Sequence, residues 1–117
     1  MSVAIIGGTV SPSTAYTTNA QTGTTYTIAL TDSNNTMVEL SNASAITLTI
    51  PTNATTAFPV GSQVNILQTG AGQVTVAGAG GVTVNGTPGL KLRAQWAAAS
   101  LVKRATDTWV VIGDTSA

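Results

Sequence analysis

Cysteine and histidine are both absent from this 117-residue chain. Without cysteine neither a disulfide nor a thiolate metal site can form. Without histidine, the commonest general base and the commonest transition-metal ligand are missing. Charge is scarce as well, since Asp, Glu, Lys and Arg make up 7% of the residues against about 25% in an average globular chain. The polar surface must therefore be built from Thr, Ser, Asn and Gln. A formal net charge of zero argues against a general binder of nucleic acid or of anionic membranes. No apolar segment approaches the ~20 residues needed to cross a bilayer. Met1 to Val10 has no basic stretch and only the short apolar run Val3 to Ile6, so no secretory signal is expected. Aromatics are few, with one Phe, two Trp and two Tyr, and the core must be assembled from Ala, Val, Ile and Leu, which bury less area apiece.

What the chain does have is short alternating runs separated by turn residues. Gly61 to Gly86 carries Val64 and Ile66, Val74 and Val76, and Val82 and Val84, each pair two apart and so on one face of a strand, with Asn65, Thr75 and Thr83 on the other. Glycines between these runs predict a meander of narrow strands. Upstream, Tyr26, Ile28 and Leu30 share a face, a turn at Asp32 to Asn35 follows, and Thr36 to Leu40 is expected to return as a hairpin with Val38 and Leu40 inward. Ile46, Leu48 and Ile50 point inward from the next strand, which Pro51 ends. Phe58 is expected to plug the end of the core. Leu90 and Leu92 face one way, and Lys91 and Arg93 the other.

The segment Gln95 to Arg104 has Ala and Leu suited to a helix, but it lacks an N-cap and lies between strands, so strand is preferred. A turn at Ala105 to Thr108 leads into Trp109 to Ile112. The prediction is an all-β fold, a single antiparallel β-sandwich or barrel of about eight or nine short strands over residues 26–117. Residues 1–25, rich in Ser and Thr, are expected to form an extended N-terminal arm. The xVTV echo at Val74 and Val82 does not keep a period elsewhere, which disfavours a solenoid.

No reaction site stands out. Of the carboxylates Asp32, Glu39, Asp107 and Asp114, only Glu39 lies on an expected strand, so a glycosidase pair is not favoured. Asp32 beside Ser33 and Asn34 is read as a turn residue rather than a calcium ligand. The Thr47-Leu48-Thr49 pattern is read as a solvated strand face rather than an ice-ordering array. All the basic residues fall between Lys91 and Arg104, and Lys91 with Arg93 forms a small basic strip. No metal, no cofactor and no catalytic residue is expected. Both tryptophans are read as core.

The chain resembles a β-domain of tailed-bacteriophage virion proteins, of the head-fibre, capsid-decoration and tail-fibre type. The resemblance rests on VELSNASAITLTIP at Val38 to Pro51, FPVGSQVNILQTGAGQVTV at Phe58 to Val76, GVTVNG at Gly81 to Gly86 and DTWVVIGD at Asp107 to Asp114. It implies a non-enzymatic structural virion protein that works as a homotrimer, located on the capsid surface. Met1 to Ala117 is expected to leave no room for the shaft of a tail fibre, which favours a capsid decoration (cement or knob) protein bound to the major capsid protein of a phage head. Val3, Ile5, Ile6, Tyr16, Lys91 and Arg93 are the expected contacts with the capsid or between subunits. The alternative is a tail-fibre or host-recognition knob that binds a surface glycan through Trp96 or Trp109.

Overall fold

The structure is a computed structural model that describes residues 15–117. It is all-β apart from one short 3-10 helix at Leu30–Ser33. The strands are β1 (Thr17–Gln21), β2 (Thr25–Thr27), β3 (Thr36–Leu40), β4 (Ile46–Ile50), β5 (Gln63–Gln68), β6 (Val74–Gly78), β7 (Thr83–Gly86), β8 (Lys91–Leu92), β9 (Ala98–Ala105), β10 (Thr108–Gly113) and β11 (Thr115–Ser116). They form a six-stranded sheet in the order β1-β3-β5-β9-β10-β7 and a five-stranded sheet in the order β11-β8-β6-β4-β2.

Period-two alternation explains the strands. β3 buries Thr36, Val38 and Leu40, β4 buries Ile46, Leu48 and Ile50, and β5 buries Val64, Ile66 and Gln68. These side chains, with Val74 and Val76 of β6, Leu92 of β8, Leu101 of β9 and Trp109 and Val111 of β10, make one cluster supplied by both sheets. Phe58 is buried in the same cluster, with its ring edge-on to Trp109 at 5.2 Å between centroids. From Ala98 onward the segment with helical composition is the long strand β9, because burial of its alternate side chains outweighs the propensity of its alanines.

Strand pairing departs from the antiparallel expectation. Consecutive strands β1 to β8 alternate between the two sheets, so β1, β3 and β5 are parallel neighbours in one and β2, β4 and β6 parallel neighbours in the other. β7 also pairs in parallel with β10. Antiparallel pairing is confined to β5–β9, β9–β10, β6–β8 and β8–β11. The expected meander over β5, β6 and β7 and the expected hairpin of β2 with β3 are therefore both corrected. Their connecting turns carry the chain across to the opposite sheet.

Other expectations are corrected locally. Leu30 is exposed, because the chain leaves β2 after Thr27 and enters the 3-10 helix, where Asp32 turns inward instead. Of the expected arm, Val3, Ile5 and Ile6 lie outside the described residues, while Thr17–Gln21 is an ordinary edge strand paired along its length with β3.

Candidate functional site

The two sheets present different outer faces. On the five-stranded sheet the register aligns Thr25, Thr47, Thr75, Lys91 and Ser116 in one row and Thr27, Thr49 and Ala77 in the next. These hydroxyls form a solvated face, and the threonine block is only three strands wide before Lys91 and Ala77 interrupt it.

On the six-stranded sheet three rows run across the strands. They read Ala20, Glu39, Leu67 and Ala98; Thr18, Met37, Asn65, Ser100 and Ile112; and Gln63, Val102, Val110 and Asn85. Glu39 is the one charged group among them. The polar members bond to one another: Ser100 Oγ donates to Asn65 Oδ1 at 2.7 Å, and Gln63 Nε2 donates to Asn65 Oδ1 and to Ser100 Oγ, both at 3.2 Å. Their hydrogen-bonding capacity is thus partly spent within the sheet; Met37, Leu67, Val102 and Val110 are half-buried between them, and Ile112 is the exposed large apolar side chain of these rows. Ile112 is 59% exposed and borders a shallow depression of about 320 Å³ lined also by Met37, Asn65, Ala98, Ser100 and Gly113. A half-apolar face with a single charged group is suited to contact with another protein surface.

The expected contact residues do not converge. Tyr16 is exposed just before β1 on one sheet edge, whereas Lys91 and Arg93 are exposed on and beside β8 in the other sheet. Arg93 is already engaged, with Nε 2.8 Å and Nη2 2.9 Å from the two oxygens of Asp114. That bidentate hydrogen bond from Arg93 holds the Asp114 carboxyl below its usual value, and the carboxylate in turn raises the guanidinium. The pair is open to solvent, so Arg93→Ala is expected to leave the melting temperature unchanged within error in 0.15 M salt, as checked by thermal scans. Lys103 lies outside that strip and is only 2% exposed: it follows Ala99 and Leu101 on the inward face of β9.

The carboxylates likewise stand apart in separate roles. Asp32 is buried and accepts from Asn19 Nδ2 at 2.9 Å, from Tyr26 Oη at 2.6 Å and from the Ala29 backbone N–H at 2.9 Å. These donors come from β1, from β2 and from the approach to the 3-10 helix. They close the side of the core between the β1 and β2 edges. Asp107, at φ 53 in the β9–β10 turn, accepts the backbone N–H of Asn53 at 2.7 Å. Among the described residues no cluster of three acidic side chains suited to a metal ion forms.

The Asp32 cluster carries a pH prediction. Burial, and then the hydrogen bond to the Asp32 carboxylate, push the Tyr26 phenol from its ordinary value near 10 up to about 12. The folded state thus holds the phenol proton more tightly than the unfolded state does. The resulting stabilisation is complete below pH 10 and is lost as the pH rises to 12. Alkaline denaturant titrations are expected to show roughly 1–2 kcal/mol lost across that window on this account, after discounting for partial solvent access. Tyr26→Phe is expected to remove that part of the slope, and to cost about 1–2 kcal/mol at neutral pH because Asp32 loses a donor.

The tryptophans differ from expectation in one case. Trp109 is core, but Trp96 is 66% exposed. It sits at φ 74 in a turn where Ala97 N–H returns to Ala94 O at 3.0 Å, and its own N–H bonds to Gln68 O. That left-handed backbone directs Ala97, rather than the indole, into the interior. Gln95 Nε2, bonded to Thr69 O at 3.0 Å, anchors the same turn against the β5–β6 connection. Sequence spacing contains no signal for this φ. Neither a family model, nor a curated protein, nor a solved structure matches the chain.

Proposed function

We propose that this chain is a non-enzymatic structural protein of a tailed-phage virion, a β-sandwich capsid decoration protein that binds the head as a homotrimer and stabilises it. The observation that carries the reading is the outer face of the six-stranded sheet, where half-buried Met37, Leu67, Val102 and Val110 and exposed Ile112 lie across rows that hold a single charged group, Glu39. Its proposed occupant is a second copy of the chain. A surface nearly without charge neither repels its own copies nor depends on ionic strength. Apolar contact then supplies the association that the small internal core leaves unused.

The residues upstream of Ala15, which include Val3, Ile5 and Ile6, are proposed to supply the contact with the major capsid protein. Binding only to the assembled shell stabilises it by mass action. Co-sedimentation with heads of its phage tests this: the full chain is expected to pellet with the heads, and a chain beginning at Ala15 to remain in the supernatant. Failure of the full chain to pellet contradicts decoration, and pelleting of the shortened chain contradicts the terminal contact. Ile112→Asp is expected to split the oligomer into monomers, read by light scattering after gel filtration, without loss of the far-UV spectrum, since the side chain is mostly exposed in the monomer.

A second reading is favoured by Trp96 alone. A solvent-facing indole on an anchored turn is a stacking platform for a sugar ring, as a glycan-binding host-recognition knob requires. Screening the protein and Trp96→Ala on a glycan array distinguishes the readings: binding that is lost in the variant supports the knob, and no binding in either leaves decoration as the better account.

A further inference from the structure

Lys103 is a buried lysine with no carboxylate within 4 Å among the described residues. Its side chain enters the core beside Trp109, its register partner on β10, and its Nζ lies 2.6 Å from Asn53 Oδ1 and 2.6 Å from the Phe58 carbonyl oxygen. Both acceptors are neutral. The ion pair found within 4 Å among the described residues is Arg93 with Asp114, so no carboxylate there is in direct contact with the ammonium. Charge held this way in an apolar interior is costly.

We infer that Lys103 and Asn53 are the partners of a spontaneous intramolecular isopeptide bond. Oδ1 is bonded to Cγ at about 1.2 Å, so Nζ is no more than about 3.8 Å from the amide carbon, close to the separation of reacting atoms in a near-attack geometry. The asparagine is held from behind by Asp107, which accepts its backbone N–H. The carbonyl of Phe58 is fixed by the packing of that ring on Trp109. Nζ gives up two protons in bonding to Cγ, the Cγ–Nδ2 bond breaks, and Nδ2 leaves carrying both of them as an ammonium ion. An ammonium side chain and a carboxamide become a secondary amide and one ammonium ion, so atoms and charge balance without an oxidant or cofactor. The product suits the site better than the reactants do. Its single N–H still donates to the Phe58 carbonyl, its carbonyl oxygen remains Oδ1, and the buried charge has gone. The link would join the β4–β5 connection to β9 across 50 residues.

Intact mass measurement of the denatured full chain tests the inference. The expected mass is that of the sequence less one ammonia, and tryptic digestion is expected to yield a peptide covering 94–104 branched to one containing Asn53. A succinimide at Asn53 also loses ammonia, but it persists in Lys103→Met, whereas the isopeptide loss disappears. The full sequence mass after prolonged incubation of the folded wild-type protein, or an ammonia loss that survives in Lys103→Met, overturns the assignment. Neither reading of the wild-type mass depends on whether a variant folds.

Discussion

Trp109→Ala is expected to lower the unfolding free energy by about 3–5 kcal/mol, the upper range for large-to-small core changes. Trp109 is the largest of the fully buried side chains, and it spans from Phe58 into a cluster otherwise made of aliphatic residues. Valines and alanines are short and sit on paired strands, so they cannot move in to fill the space. A domain of this size has a total stability of roughly 5–15 kcal/mol, and the variant is therefore expected to be marginal at 37 °C. Urea titration followed by far-UV circular dichroism measures this without relying on indole fluorescence. A loss below about 1 kcal/mol would mean that the core relaxes far more than its strand pairing allows.

Gly72→Ala is expected to be nearly as damaging, at about 3 kcal/mol, near the top of the range for overpacking. A methyl group there would lie 1.9 Å from Ser44 O and 2.7 Å from Asn42 O, both backbone atoms of the β3–β4 turn. The two turns are stacked and joined by the Gly72 N–H bond to Asn42 O at 2.7 Å, so the clash is relieved only by separating them. Gly80 is the internal control. It has open space around the position of a Cβ and no left-handed φ, and Gly80→Ala is expected to be neutral or to stabilise by up to about 1 kcal/mol. Equal effects at the two sites would contradict the stacking of the turns.

These glycines also show where reading the sequence stopped. The inward side chains Val38, Leu40, Ile46, Leu48, Ile50, Val64, Ile66, Val74, Val76 and Leu92 follow from alternation alone, because a strand has only two faces. Which strand lies beside which does not follow, since the same alternation serves parallel and antiparallel neighbours. Gly70 and Gly72 read as reversal glycines; their use is to let one inter-sheet turn lie on the turn before it. Lys103 was within reach, because it continues the inward series Ala99 and Leu101, but a lysine beside Arg104 reads as a solvated end. Asp32 was hidden by its turn context, and its donors Asn19 and Tyr26 come from strands whose neighbours are fixed only in three dimensions. Of the candidate surface, the scarcity of charge was legible. Its concentration into one apolar face, opposite a threonine face, depends on the strand order.

The contrast between those faces carries the functional account: one is solvated by hydroxyls, and the other is the face we propose is completed by further copies of the same chain. Sedimentation equilibrium of the full chain, in 0.1 M and in 1 M sodium chloride, tests this most directly. A trimer mass that is the same at both salt concentrations, falling to the monomer in Ile112→Asp, is the predicted result. A wild-type chain that remains monomeric at micromolar concentration in both would contradict it.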